Sequence, residues 1–230
     1  MKSILVLGAG RSCSTLIKHL LMRSEECDWK VVVGDIDLQV AKSKVNGHSN
    51  GEAFELSSTN NSERDKRIAE ADLVMSMVPP FLHVSVAKVA IAAGVPVITP
   101  SYLSKEMIAL DAEARKAGVL VLNEIGLDPG IDHMSAMQII DEIKADGGEM
   151  LGFESYCGGL VATESDNNPW HYKISWNPRN IVLAGQGGSA TFKDNDRVKL
   201  EPPHRVFRRL RPVNIDGCLY KGYPNRDSLA

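Results

Sequence analysis

The sequence lacks the features that place a protein in a membrane, in an oxidising compartment or on a nucleic acid. No run of about eighteen apolar residues occurs, so we expect no membrane-spanning helix. The four cysteines are scattered and form no CxxC pair, which argues against a disulfide framework or a zinc site and is typical of the reducing cytoplasm. No Lys/Arg tract is interleaved with aromatic residues, so we expect no nucleic-acid partner.

Charge is unevenly distributed along the 230 residues, although the net charge is only −3. Residues 170–230 hold 11 Lys and Arg against 5 Asp and Glu, whereas residues 1–169 hold 15 against 24. A basic C-terminal region favours small ligands that carry carboxylates. A solvated surface explains scattered charges equally well.

The first half of the chain alternates apolar runs with segments of helical spacing. Helical spacing occurs around residues 15–21, 40–45, 82–93 and 104–116. Strands joined by single helices form parallel sheets through right-handed crossovers. The pattern therefore predicts an α/β fold whose first domain, residues 1–128, is a Rossmann-type doubly wound parallel sheet. Its predicted strands are Ser3–Leu7, Trp29–Val33, Glu52–Leu56, Ala71–Val78, Val95–Thr99 and Val119–Leu122.

The pattern changes after Asn123. Met134–Ile143 has helical spacing, and the later segments Leu151–Tyr156, Ile181–Ala184 and Ala190–Phe192 are rich in β-branched and aromatic residues. We predict a partial second α/β domain with a mixed or antiparallel sheet over residues 129–230. We expect this domain to bind substrate and to mediate dimerisation.

The segment ILVLGAGRSCSTLIKHLL, residues 4–21, places two glycines between a predicted strand and a predicted helix. Gly8 allows the sharp turn, and Gly10 lets a pyrophosphate approach the backbone. The amides of Arg11 and Ser12 would open the helix, whose positive end favours phosphate. The segment therefore predicts a dinucleotide-binding turn.

The acidic residue that ends the second predicted strand bears on the choice of cofactor. Asp35 suits the ribose 2′-hydroxyl of NAD and would repel the 2′-phosphate of NADP. Arg11 favours the opposite choice, because a guanidinium beside the turn can bind that phosphate. Cys13 stands in place of the usual third glycine, which weakens the motif. We predict NAD or NADP, with Asp35 favouring NAD, and a corner that binds nothing is the alternative.

Three distinctive stretches follow the fourth, fifth and sixth predicted strands: SMVPPF (76–81), TPSYLS (99–104) and NEIGLDPGIDHM (123–134). Parallel strands end at one edge of the sheet, where ligands bind. Asp128, and Asp132 with His133, could therefore supply acid–base groups. Asp132 is alternatively the N-cap of the following helix.

The combination of GLDPGIDHM (126–134), SYCGGL (155–160) and YPNRDS (223–228) resembles saccharopine dehydrogenases of the glutamate-forming type. The resemblance covers the whole chain. It implies the interconversion of saccharopine with aminoadipate semialdehyde and glutamate in lysine metabolism, by hydride transfer at an imine carbon that water then attacks or leaves. Family members continue beyond YPNRDSLA, so we expect either a fragment or a shortened relative with an incomplete substrate site.

The resemblance also implies the roles of individual residues. The expected catalytic groups, which assist proton transfer, are Asp128, Cys157 and Tyr102. Substrate is expected to contact Ser101, Asp128 and Arg226, whose guanidinium would hold a carboxylate. With the glycine turn included, the expected cofactor-binding residues are Gly8, Gly10, Arg11, Ser12, Asp35, Met77, Val78, Pro79, Ser101, Tyr102 and Leu127.

Two other functions compete with this one. A carboxynorspermidine-forming dehydrogenase resembles the family but condenses a diamine, which would need acidic groups where Arg179 and Arg226 occur. A non-catalytic dinucleotide-binding fragment would fit an incomplete substrate half, but the presence of Asp128 and Cys157 argues against it. We expect a cytoplasmic homodimer that binds a saccharopine-like amino acid.

Overall fold

The structure, a computed structural model, describes residues 1–57, 59–174 and 190–224. The chain divides into two compact units, Met1–Gly148 and Glu149–Ala230. The helix predicted over Met134–Ile143 belongs to the first unit. The boundary between the compact units therefore lies later along the chain than residue 128. The domain boundary predicted after residue 128 stays a prediction.

The first unit contains a six-stranded parallel sheet in the order β3-β2-β1-β4-β5-β6. The chain leaves β1 in one direction and returns beside it as β4, so the strand order reverses between these two strands. This order confirms the predicted doubly wound sheet and places its switch point between β1 and β4. The strands are β1 (Lys2–Leu7), β2 (Trp29–Asp35), β3 (Gly51–Glu55), β4 (Leu73–Ser76), β5 (Val97–Ile98) and β6 (Val121–Leu122).

Helices connect these strands and follow the last of them. The helix α3 was not predicted, and the helix predicted over residues 104–116 is divided into α5 and α6. Ser104 Oγ accepts a hydrogen bond from the Met107 amide at 3.1 Å, so Ser104 caps the start of α5. The helices are α1 (Ser14–Met22), α2 (Leu38–Val45), α3 (Ser62–Ala69), α4 (His83–Ala93), α5 (Lys105–Ile108), α6 (Asp111–Ala117) and α7 (Ile131–Ala145).

Both faces of the sheet are buried, as the uninterrupted apolar runs predict. Because side chains alternate along a strand, Ile4 and Val6 pack into the layer that α1 and α2 cover. Leu5 and Leu7 pack into the opposite layer, beneath α3, α4 and α6. The sheet is thus held from both sides and its strand ends are fixed in position.

The second unit contains two antiparallel hairpins and a short helix, α8 (Pro203–Val206). This agrees with the predicted mixed or antiparallel sheet. Leu151–Tyr156 does not form a strand, because β-propensity acts through packing beside other strands and Leu151 is 92% exposed. Ile181–Ala184 lies outside the described residues. The hairpin strands are β7 (Ala190–Asp194) with β8 (Arg197–Glu201), and β9 (Arg211–Ile215) with β10 (Cys218–Gly222).

Helix α7 buries none of its side chains. Within the described ranges, no helix has the length and apolar character needed to cross a membrane. The exposed large apolar residues of α7 are Ile131, Met134, Met137, Ile139 and Ile143.

The turn after β1 leaves no room for a side chain at Gly8. Its φ is +98°, and a Cβ built there would lie 2.7 Å from the Met77 carbonyl oxygen. We expect Gly8→Ala to lower the free energy of unfolding by about 2 kcal/mol or more, because backbone strain and a clash with rigid backbone add. Urea denaturation measures this loss.

Gly94→Ala is the matched control for that experiment. Gly94 also has a positive φ, +76°, but a Cβ there would meet no atom within 4 Å. It should therefore lose only about 1 kcal/mol. Equal losses in the two variants would contradict a steric constraint specific to Gly8.

Candidate functional site

The parallel strands bring the predicted site segments to one edge of the sheet. The Gly8 amide donates to the Gly34 carbonyl at 2.7 Å, and the Met77 amide donates to the Leu7 carbonyl at 2.8 Å. These two bonds hold the first turn between the ends of β2 and β4, at the switch point. The segments at this edge are residues 8–12 after β1, 35–37 at the end of β2, 77–79 after β4, 99–104 after β5 and 123–130 after β6.

The glycine turn has the geometry that the motif predicts. Gly10 is extended, with φ −63° and ψ −175°, and a Cβ built there would meet nothing within 4 Å. A 3-10 turn, Arg11–Cys13, then leads into α1. Cys13 is buried in the core, and burial raises the pKa of its thiol to about 11. The turn therefore presents open space over Gly10 beside the start of a helix, a cradle that fits a pyrophosphate.

The carboxylate of Asp35 is engaged by the backbone. Its Oδ2 accepts a hydrogen bond from the Ala9 amide at 2.7 Å, and its Oδ1 accepts one from the Asp37 amide at 3.0 Å. Asp35 thus ties the end of β2 to the glycine turn. A cavity of about 350 Å³ beside it is lined by Ile36, Glu55, Leu56 and Ser57.

Two of the three predicted catalytic residues are in contact. The Tyr102 hydroxyl donates to Asp128 Oδ1 at 2.9 Å. Glu124 holds their segments together, because its amide donates to the Ser101 carbonyl at 3.1 Å and its carboxylate accepts from the Leu103 amide at 3.0 Å. The phenol hydroxyl orients the carboxylate, and an oriented carboxylate can act as a general base towards water or an ammonium group.

Asp132 and His133 are engaged in the first turn of α7. Asp132 Oδ1 accepts from the Gly130 amide at 2.8 Å and lies 2.9 Å from His133 Nδ1. Burial alone would raise the pKa of Asp132, but the hydrogen bonds from His133 and Gly130 lower it overall. The alternative role of Asp132 as an N-cap is wrong, because α7 begins at Ile131 with Gly130 in the capping position.

A buried polar cluster that no sequence motif indicates lies at the ends of β4 and β5. His83 is 4% exposed, and its Nδ1 and Nε2 lie 2.8 Å from the hydroxyls of Ser76 and Ser101, respectively. The Thr99 hydroxyl lies 3.3–3.4 Å from both nitrogens. Burial lowers the pKa of His83 to about 4, so the ring is neutral at neutral pH. Ser76 and Thr99 belong to the distinctive stretches, but no pattern in the sequence joins them to a histidine in α4.

The other predicted site residues lie in different parts of the chain and differ in exposure. Cys157 is exposed in the second unit, and Arg226 lies outside the described residues. Within ranges 1–57, 59–174 and 190–224, no three His, Cys, Asp or Glu side chains are grouped as metal ligands. Near the sheet edge, Met77, Val78 and Ser101 are half-buried, whereas Arg11, Ser12, Pro79 and Leu127 are exposed.

Comparison with known proteins relates both parts of the chain to one family. The profile described as "Saccharopine dehydrogenase NADP binding domain" matches residues 4–122, and "Saccharopine dehydrogenase C-terminal domain" matches residues 126–230. The two profiles meet close to the boundary predicted after residue 128.

Individual relatives agree with the profiles. Saccharopine dehydrogenase (NADP(+), L-glutamate-forming) of Schizosaccharomyces pombe is 38% identical over 229 residues, which are 99% of this chain and 50% of the relative. Alpha-aminoadipic semialdehyde synthase of Arabidopsis thaliana is 35% identical over 246 residues, covering 98% of this chain and 23% of the relative.

A solved structure supports the same relationship. Apo histidine-tagged saccharopine dehydrogenase (L-Glu forming) from Saccharomyces cerevisiae superposes with a TM-score of 0.85 at 38% identity. It covers 99% of this chain and 50% of its own. The chain thus spans about half the length of the saccharopine dehydrogenases that it matches.

The buried imidazole makes the stability of the fold depend on pH. The pKa of His83 is about 4 in the folded chain, and its ordinary value of 6.5 applies to the unfolded chain. As pH falls below 6.5, the unfolded chain therefore binds a proton before the folded chain does. Relative to His83→Asn, the wild-type chain should lose roughly 3 kcal/mol of unfolding free energy between pH 7 and pH 4. Urea denaturation across this range measures the difference.

The exposed His19 provides the control. His19→Asn makes the same substitution without removing a buried side chain, and its unfolding free energy at pH 7 should match that of the wild-type chain. A stability difference between wild type and His83→Asn that stays constant across the range would contradict a buried neutral His83.

Proposed function

The chain belongs to the saccharopine dehydrogenase family, and from this premise we propose that it interconverts saccharopine with aminoadipate semialdehyde and glutamate in lysine metabolism. One observation carries the proposal. The glycine turn, with open space over Gly10, and the Tyr102–Asp128 pair lie at the same edge of one sheet. The names of the relatives support the substrate.

A nicotinamide dinucleotide would be held by residues of this edge. The pyrophosphate would lie over Gly10, against the start of the helix. Met77, Val78 and Pro79 would pass under the nicotinamide-bearing ribose, with Leu127 beside them. When bound, the cofactor supplies the hydride chemistry, and the protein supplies binding and orientation.

NADP is the form of the cofactor that we propose. The description of the matched profile and the printed names of the relatives support it. Arg11, exposed beside the turn, provides a cation for the 2′-phosphate. The residue type of Asp35 favours NAD, but its two bonds to the amides of Ala9 and Asp37 give its carboxylate a role in the turn that needs no ribose partner.

Asp128 is the group that we assign to proton transfer. Its carboxylate would accept the proton that water loses on adding to the substrate C=N bond. It would return that proton to the nitrogen of the carbinolamine. Ionised again, it would take the hydroxyl proton as the C=O bond forms, the C–N bond breaks and the glutamate amine leaves. The Tyr102 hydroxyl fixes Oδ1 of this carboxylate. Cys157 is proposed as a further proton-transfer group, and Arg226 as the partner of a substrate carboxylate.

A cytoplasmic homodimer is the assembly that we propose. The exposed apolar side chains of α7 support self-association, and sedimentation would measure it. None of the four cysteines, all within the described residues, forms a disulfide, and this supports a reducing compartment.

Cofactor binding is tested by Gly10→Ala. The φ of −63° accommodates alanine and the added methyl meets no protein atom, so stability should change by less than about 0.5 kcal/mol. The methyl would occupy the space assigned to the pyrophosphate. Affinity for NADPH, followed by nicotinamide fluorescence, should fall at least about tenfold.

Gly152→Ala serves as the control, since a Cβ at Gly152 also meets nothing within 4 Å. It should bind NADPH as the wild-type chain does. The wild-type chain should bind NADPH more tightly than NADH, and the reverse order would overturn the choice of NADP. Unchanged affinity for NADPH in Gly10→Ala would show that the glycine turn does not bind the pyrophosphate.

Turnover is tested by Asp128→Asn in saccharopine-dependent reduction of NADP(+). The amide oxygen still accepts from Tyr102 but cannot take a proton, so kcat should fall by about a hundredfold or more with NADPH affinity retained. Asp141→Asn, at an exposed position of α7, is the control and should leave kcat unchanged. Equal kcat values would overturn the role of Asp128. NADPH binding without wild-type turnover would favour a non-catalytic dinucleotide-binding fragment.

A further inference from the structure

A chain of three polar side chains connects the interior of the sheet to the candidate site. Ser76, at the end of β4, is 1% exposed, and His83 is 4% exposed. Ser101 is half-buried in the segment that also carries Tyr102, the partner of Asp128. The chain Ser76–His83–Ser101 is therefore sealed from solvent at one end and reaches the site at the other.

The sealed end determines which nitrogen of His83 carries the proton. Among the described residues, the Ser76 hydroxyl has one hydrogen-bond partner, Nδ1 of His83 at 2.8 Å. A buried hydroxyl proton without an acceptor is costly, so the Ser76 hydroxyl donates and Nδ1 accepts. A neutral imidazole has a single N–H, which must then be at Nε2.

The hydrogen-bonding role of Ser101, at the open end of the chain, follows from this assignment. Nε2–H donates to Ser101 Oγ at 2.8 Å, so this oxygen already accepts a hydrogen bond. The Thr99 hydroxyl lies farther from the ring and accepts from the Ser101 amide at 3.3 Å. The hydroxyl proton of Ser101 is then the group that can engage a ligand.

We propose that His83 is a positioning residue which, with Ser76, makes the Ser101 hydroxyl an outward hydrogen-bond donor to an acceptor oxygen of a bound ligand. The acceptor is the carboxylate of an amino-acid substrate or the carboxamide oxygen of a nicotinamide. The ligand's identity rests on the proposed function. The position of the proton is a property of the ligand-free chain.

The proton on the ring is tested without any ligand. Nitrogen NMR of the chain labelled with ¹⁵N-histidine distinguishes the two neutral tautomers. We expect the Nε2–H tautomer for His83 at neutral pH, and a larger share of the Nδ1–H tautomer in Ser76→Ala. A wild-type ring protonated at Nδ1, or a Ser76→Ala variant with an unchanged tautomer, would overturn the assignment.

The donor role of Ser101 is tested by ligand affinity in a double-mutant cycle. Binding of NADPH is followed by fluorescence, and binding of saccharopine to the NADPH-loaded chain by calorimetry. Ser101→Ala and His83→Leu should each weaken the ligand that Ser101 contacts by about tenfold, and the double variant should lose no more. His83→Gln, whose amide N–H can reach Ser101, should recover most of the loss.

Controls separate positioning from a loss of folding. His19→Leu should bind both ligands as the wild-type chain does, and urea denaturation of each variant measures its stability. Weaker NADPH binding in Ser101→Ala would identify the carboxamide oxygen, and weaker saccharopine binding alone would identify the carboxylate.

The proposal and the proposed function fail differently. Unchanged affinity for both ligands in Ser101→Ala, or losses that add in the double variant, would overturn the positioning role. A wild-type chain that bound neither ligand would overturn the proposed function. The tautomer measured in the free chain would still support or overturn the assignment at His83.

Discussion

The candidate site depends on the close approach of the β1 turn to the backbone after β4. Gly8 lies so near the Met77 carbonyl that a side chain cannot fit between them. This approach brings the first turn to the switch point, where Asp35 also binds the Ala9 amide from the end of β2. Three strand ends are thereby fixed together. The open space over Gly10 is a consequence of that arrangement, because the chain must turn away into the helix immediately afterwards.

The sheet could be predicted from the sequence because its strands are buried on both faces and therefore appear as continuous apolar runs. The helix α3 could not, since Ile68 is its one buried residue within the sequence SERDKRIA. Its Arg67 pairs with Glu63 one turn earlier and with Glu52 on β3. Such partly exposed ion pairs add little, and the helix is held mainly by the burial of Ile68 in the core, which apolar spacing does not reveal.

The same distinction applies to the candidate site. That residues 99–104 and 123–130 meet could be predicted, because neighbouring parallel strands end at the same edge. Which side chains touch could not, since the contact of Tyr102 with Asp128 depends on the two bonds by which Glu124 joins its own segment to Ser101 and Leu103. Asp35 shows the same distinction. Its position was predicted correctly, but its bonds to two backbone amides cannot be inferred from residue type.

The two edges of the sheet use polar groups in different ways. At the amino ends of the strands, Glu52 pairs with Lys30 and Arg67, and all three side chains are a quarter or more exposed. Water screens such pairs, and they contribute little to stability. At the carboxyl ends, His83 is neutral and buried between hydroxyl groups, where water does not compete for its hydrogen bonds. In a hydrogen-bond chain, which group donates and which accepts is fixed only where water and other groups are kept away from the members of the chain. The fold meets this condition at the edge that carries the candidate site.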